Sequence, residues 1–266
     1  MKFAILGAGK MASTLIKGMV AKSVCDPADI IVSSRGKDRL RELHTATGIT
    51  ISSDNRQAIE QSEVILLCVK PADVTQALDN TADAMTGKLL ISIVTGLGFS
   101  KMEQLSGKNA RCIRVMPNTP TMIGAGVSAY AAAQTASKAD IEIVRTIFGS
   151  MGMIVEVKEE QMNAVTALSG SGPAYIYLMI EALTEAGVSL GLPAKLAQDL
   201  AAQTVAGAAQ MVIQTGQDPK SLRDMVTSPK GTTAAALAIF EKGEFRDLVN
   251  KALQAASARA EELSLK

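Results

Sequence analysis

Tryptophan is absent from this chain, aromatic residues reach only 3%, and a single histidine, His44, stands in a polar stretch. A core without aromatic mass has to be aliphatic, built from Ala, Leu, Ile, Val and 13 Met. That favours closely packed helices and buried Val/Ile strands over an aromatic-cornered β-sandwich. One histidine supplies neither a His-based metal site nor a Ser-His-Asp triad, so those chemistries are excluded and no metal is expected. The three cysteines, Cys25, Cys68 and Cys112, are odd in number and form no CxxC pair. Cys68 and Cys112 lie in apolar runs and read as buried small hydrophobes of a reducing compartment. Basic excess is also lacking: 27 Lys and Arg stand against 26 Asp and Glu, which argues against nucleic acid as a partner. No apolar run approaches the roughly 18 residues that span a bilayer. The opening Met1-Lys2-Phe3-Ala4-Ile5-Leu6 has too short an apolar run for a signal peptide, and no cleavage-like site follows. A first strand is expected there, in a soluble, cytoplasmic protein.

What is present is 266 residues, 47% of them hydrophobic and 20% charged. That is enough for a real core and about two domains, and it excludes disorder. Short β-branched runs at 2–6, 30–33, 64–69, 89–94 and 111–115 alternate with helical patterns at 11–22, 38–47, 74–85 and 100–105. This is the pattern of βαβ units and an α/β domain with a parallel sheet. Further strands are expected at 126–130 and 153–157, with a helix between them capped by Ser137. From about residue 160 the strand-like runs stop. Alanine-rich helical patterns at 175–186, 193–215, 219–226, 233–242 and 245–263 give an all-helical second domain, so the division expected is 1–160 and 161–266. Pro173, Pro193, Pro219 and Pro229 stand near helix starts, where a missing N–H costs little. Helices this apolar are not expected to cover one another, which points to a homodimer.

The first strand runs into Gly7-Ala8-Gly9-Lys10-Met11-Ala12. In strand–turn–helix context this G-x-G-x-x-A pattern suits a dinucleotide: Gly7 for the turn, Gly9 for close approach of the pyrophosphate, and the helix N-terminus for its charge. After the second strand come Ser33, Ser34 and Arg35, where a carboxylate would mark NAD. Hydroxyls and a guanidinium suit a 2′-phosphate, so NADPH is expected in preference to NADH, the alternative being a solvated basic turn. Val69-Lys70-Pro71 and Thr95-Gly96 end later strands that should face the same crevice. Asn118, in the proline-locked Met116-Pro117-Asn118-Thr119-Pro120, is a candidate against the nicotinamide.

Two segments of the helical half remain. Leu168-Ser169-Gly170-Ser171-Gly172-Pro173-Ala174-Tyr175 is expected to leave backbone N–H groups free, with Ser171 as a substrate-binding candidate; a flexible hinge is the alternative. In Ser228-Pro229-Lys230-Gly231-Thr232-Thr233, Ser228 reads as an N-cap and Pro229 as the first helical residue. The N–H groups of Gly231, Thr232 and Thr233 would then form a pocket for a small carboxylate.

With Gly7-Ala8-Gly9-Lys10-Met11, Val69-Lys70-Pro71 and Met116–Pro120, these motifs make the chain resemble the pyrroline-5-carboxylate reductase family over essentially its whole length. The resemblance implies a Rossmann domain, a helical domain interlocked in a dimer, dimers often assembled into decamers, and reduction of L-1-pyrroline-5-carboxylate to L-proline by NADPH or NADH. It implies cofactor contacts at Leu6, Gly7, Ala8, Gly9, Lys10, Met11, Ser34, Arg35, Asn55, Val69, Lys70, Pro71 and Thr95. It implies the substrate carboxylate at Ser228 and Thr232–Thr233, with the ring nitrogen near the Thr233 hydroxyl as the catalytic contact. One departure stands out: the family commonly has two glycines after the proline, and here the first is Lys230. A β-hydroxyacid dehydrogenase or another imine reductase is the alternative enzyme, although the first lysine after the Leu168–Tyr175 segment, Lys195, comes a full helix late for the former. A non-catalytic NADPH-binding module is the reading from another class.

Overall fold

The structure, a computed structural model, describes residues 1–107 and 109–264. Contacts divide it into two compact units: Met1–Ser171 with the chain's end from Ala255, and Gly172–Gln254. The contact boundary falls beyond the change of composition near residue 160 because the intervening turns belong to the sheet. Met162 there packs with Met116 and Ala131.

In the first unit the strands, among the described residues, are β1 (Phe3–Leu6), β2 (Ile30–Ser33), β3 (Thr50–Ser52), β4 (Val64–Leu67), β5 (Leu89–Ser92), β6 (Arg111–Pro117), β7 (Gly126–Ala132) and β8 (Gly152–Glu156). They form one sheet in the order β3-β2-β1-β4-β5-β6-β7-β8. Between them lie α1 (Lys10–Ala21), α2 (Lys37–Thr47), α3 (Asn55–Glu60), α4 (Val74–Ala77), α5 (Phe99–Leu105) and α6 (Lys138–Gly149). Alternate strand residues point to opposite faces, so both faces need cover. Ile5, Val32, Leu66 and Ile91 pack with Leu15, Ile16 and Phe148 on one side. Ala4, Leu6, Ile65 and Leu90 pack with Ile59, Leu78 and Met102 on the other.

The expected parallel sheet is present, with one antiparallel pairing. Strand β7 runs antiparallel to β6, and β8 then runs parallel to β7. Only the 3₁₀ turn Thr119–Ile123 lies between β6 and β7, and a parallel crossover needs a dozen or more residues. The helix expected at 74–85 also ends early, at Ala77. Asn80 takes φ 53° and the Thr81 hydroxyl donates to the Leu78 carbonyl at 2.8 Å, the turn chemistry that Asp79-Asn80 favours. Strand β3 and helix α3 lay outside the sequence expectations, being three and six residues long.

The β6–α6 junction is held by a desolvated carboxylate. Asp140, 2% exposed, accepts from Arg111 Nε at 2.8 Å and from the Ser137 hydroxyl at 2.7 Å, inside a capping box. Burial alone would raise its carboxyl; the Arg111 and Ser137 hydrogen bonds outweigh that and hold it below the usual carboxylate range. A depressed folded value means the stabilisation is present above about pH 4 and lost as pH falls through that value. We expect Asp140→Asn to cost about 2–4 kcal/mol at neutral pH and to flatten the acid limb of stability against pH, measured by urea unfolding. An acid limb as steep as the wild type's would mean the sensitivity lies elsewhere.

Ahead of the second unit come α7 (Met162–Val165) and a π turn, Thr166–Gly170; the unit itself holds α8 (Gly172–Ser189), α9 (Ala194–Thr215), α10 (Pro219–Met225), α11 (Thr232–Lys242) and the start of α12 (Phe245–Ser264). Small residues bring α8 and α9 together: a Cβ at Gly187 would lie 3.1 Å from that of Ala197. Yet α8, α10 and α11 bury no residue at all. Leu178 is 65% exposed and Ile239 70%.

Candidate functional site

A cavity of about 1120 Å³ opens over the carboxyl ends of β2, β1 and β4. At its floor the Gly7 N–H donates to the Ser33 carbonyl at 2.7 Å, tying the end of β1 to β2. Gly7 sits at φ 108°, and a Cβ there would lie 2.8 Å from the Cys68 carbonyl oxygen. Only glycine accepts both the backbone angle and that approach. Gly9 caps α1 without any side-chain cap bond, so the first-turn N–H groups are left to a ligand. A Cβ at Gly9 would meet nothing within 4 Å. The turn therefore keeps open the space a pyrophosphate requires, and the residues present fit a dinucleotide.

Ala8, Ser33, Ser34, Arg35, Asn55, Val69 and Lys70 line this cavity with Gly7 and Gly9. Arg35 is engaged: its Nη2 donates to Asp73 Oδ1 at 2.6 Å and its Nη1 to Gln76 Oε1 at 3.1 Å. The Asn55 amide donates to the Ala77 carbonyl at 2.9 Å. Cys68, also on the wall, has its thiol pushed up to about 12 by burial, so it is a neutral packing group rather than a nucleophile.

Other candidates lie elsewhere. Leu6 is fully buried and contributes through its backbone, accepting from the Cys68 N–H at 2.8 Å. Lys10 and Met11 open α1. Pro71 starts the 3₁₀ turn Pro71–Asp73 and lines a separate pocket of about 140 Å³ with Thr95 and Gly96. A Cβ on Gly96 would meet the backbone of Leu263 at 2.9 Å, so the end of α12 closes on this loop. Asn118 is 8% exposed. Its Oδ1 accepts from the Val127 N–H at 2.9 Å, and its Nδ2 donates to Ser169 at 3.4 Å. The amide braces the β6–β7 turn against the π turn.

Three details of the helical half differ from expectation. The Leu168–Tyr175 segment is no open loop: the Ser171 N–H donates to the Thr166 carbonyl at 2.8 Å, closing the π turn. Pro229 does not begin a helix, and Ser228 is not its cap; α11 starts at Thr232 with Gly231 as N-cap. The Gly231 N–H is not free either, since it donates to the Ser228 carbonyl at 3.0 Å. Proline second and a positive φ third, with the fourth N–H bonded to the first carbonyl, is the signature of a type II turn. The third position is Lys230, at φ 60°, where glycine is the unstrained choice. The N–H groups that α11 still offers are those of Thr232, Thr233 and the residue after them.

Sequence reasoning missed Asp73, Gln76 and Asp54 on the cavity wall. Asp54 carried a usable signal: its side chain caps α3, accepting from Arg56 N at 2.8 Å, and it stands three residues ahead of Gln57. Asp73 and Gln76 carried none, because their place depends on β4 lying beside β1.

Two family models match the chain: pyrroline-5-carboxylate reductase dimerisation over residues 159–263, and NADP oxidoreductase, coenzyme F420-dependent, over residues 2–96. A pyrroline-5-carboxylate reductase of Arabidopsis thaliana is 41% identical, covering 99% of this chain and 95% of its own length. The structure of Plasmodium falciparum pyrroline carboxylate reductase with NADP bound superposes with a TM-score of 0.92 at 34% identity, covering 99% of this chain and 98% of that one. That of Coxiella burnetii pyrroline-5-carboxylate reductase gives 0.91 at 39% identity, with the same coverage. By sequence along nearly its full length and by fold, this chain belongs to the pyrroline-5-carboxylate reductase family.

Proposed function

We infer that the protein reduces L-1-pyrroline-5-carboxylate to L-proline, the last step of proline biosynthesis. It is an NAD(P)-dependent oxidoreductase with a dinucleotide-binding α/β unit and a helical dimerisation unit. The observation that carries the chemistry is that the helix starts in two of the motif segments, α1 at Gly9 and α11 at Gly231, have no side-chain cap. Each offers N–H groups and a partial positive charge to an anion. The first takes the pyrophosphate of NADPH, with Ser34 and Arg35 for the 2′-phosphate. NADH lacks that phosphate and is the lesser cofactor. The second takes the substrate carboxylate, with Ser228, Thr232 and Thr233 as hydroxyl partners and Ser171 as a further candidate.

When bound, the reduced nicotinamide supplies the hydride that reduces the C=N carbon. A cyclic imine that binds protonated is already electrophilic, so the residues have only to position it and hold its nitrogen. Thr233, half-buried at the start of α11, is the residue assigned this role, through its hydroxyl. Thr233→Ala is expected to lower kcat by about 10–100-fold without abolishing turnover. A loss below detection in a folded variant would make Thr233 an obligatory acid. Steady-state assays with pyrroline-5-carboxylate and each reduced nicotinamide test the function. Turnover of β-hydroxyacids in its place, or dinucleotide binding without turnover, overturns it.

A homodimer accords with the surface. Helices α8 and α11 bury no residue of their own, and Leu178 and Ile239 on them are exposed, an apolar face of the kind that a partner covers. Assembly into decamers rests on the family resemblance alone, and a solution mass measures it. A cytoplasmic setting is supported by the free thiols of Cys25, Cys68 and Cys112.

A further inference from the structure

Arg35 follows β2 and Asp73 follows β4, and these strands flank β1 on either side. The Gly7–Gly9 turn leaves β1 between them. The pair nevertheless meets, Arg35 Nη2 to Asp73 Oδ1 at 2.6 Å, with Gln76 taking Nη1 at 3.1 Å. This ion pair therefore joins the two strand ends that flank the nucleotide turn, and all three side chains line the same cavity. Arg35 is 72% exposed and Asp73 only 28%, so the guanidinium is the partner more open to the cavity's solvent.

We propose that Asp73 sets the cofactor preference by competing with the adenosine 2′-phosphate for Arg35. The proposal rests on the assignment of Arg35 to that phosphate. A guanidinium presents its donors as a planar fork, and the edge that would grip a phosphate is here held by Asp73 and Gln76. To reach those donors a phosphate dianion has to displace that carboxylate. A ribose 2′-hydroxyl has no such charge to accommodate and leaves the pair intact. NADPH thus opens an ion pair that NADH does not. The other charged residues on the wall are mixed in sign, Arg39, Arg56 and Lys70 against Asp38, Glu42, Asp54 and Asp79, and so supply no net positive field in place of Arg35.

The test measures Kd for NADPH and for NADH on the intact enzyme by nicotinamide fluorescence, without substrate. For Asp73→Asn, NADPH should bind about fivefold tighter, the scale of a partly exposed ion pair, while NADH moves less than about twofold. In an Arg35→Ala background the same substitution should leave NADPH binding unmoved, since the competition has lost its object. Gln76→Ala frees the other donor and should shift NADPH the same way by a smaller factor; it stands in if Asp73→Asn disturbs its turn. Unchanged or weaker NADPH binding in these variants overturns the proposal, weaker binding showing that Asp73 orients Arg35 for the phosphate. A gain that persists without Arg35 overturns it too, as direct repulsion. Wild-type enzyme that bound neither dinucleotide would defeat the nucleotide assignment itself.

Discussion

Gly7→Ala is expected to weaken NADPH binding by about 100-fold and to lower Tm by about 5–10 °C. The new Cβ would stand 2.8 Å from the Cys68 carbonyl oxygen and 3.0 Å from its carbon. Both are backbone atoms of the chain continuing from β4, and the Cys68 N–H is itself bonded to the Leu6 carbonyl at 2.8 Å. Neither side can yield without shearing β1 from β4. An alanine would also be held at φ 108°, outside the region L-residues prefer. The displaced turn carries the start of α1 with it, and so the amides assigned to the phosphates in the proposed function. Gly9→Ala is the internal comparison. Its Cβ would enter open space, so the fold should keep its Tm while the dinucleotide loses room. Equal Tm for the two variants, or intact NADPH affinity in Gly7→Ala, would falsify the assignment of this turn.

The second large effect concerns assembly. Leu178→Arg combined with Ile239→Lys is expected to convert the dimer to monomer and to abolish turnover, read by solution mass and activity on the same sample. These side chains are 65% and 70% exposed on α8 and α11, helices that bury nothing within their own chain. An apolar face of this extent is stable in water only against a partner. Placing a cation on it costs several kcal/mol if the face is desolvated in the dimer and almost nothing if it is truly at the surface. A double variant that stays dimeric and active would show that these two helices lie outside the interface.

Much of this was legible in the residues, and the reason is local. Strands β1, β2, β4 and β5 are runs of four, each fully buried, and a buried run announces itself by hydrophobicity alone. The Gly7–Gly9 turn was legible because its chemistry depends on which residues have no Cβ, a property written in the sequence. Ser137 was legible as a cap for the same reason: capping involves neighbours three residues away. Strand β3 was not. Its three residues sit at the sheet edge, partly exposed, and carry no pattern.

The class of the fold, the Gly7–Gly9 turn and the helical second half could be read from the residues alone, because each follows from contacts between residues close in the chain. The remaining features came from long-range packing. It turned β7 antiparallel, closed the π turn through Ser171, moved the start of α11 past Pro229 and brought Asp73 onto Arg35. Those outcomes depend on which distant backbone or side chain satisfies each donor, and that pairing is fixed by the order of strands in the sheet and the geometry of closed turns, neither of which a linear pattern encodes.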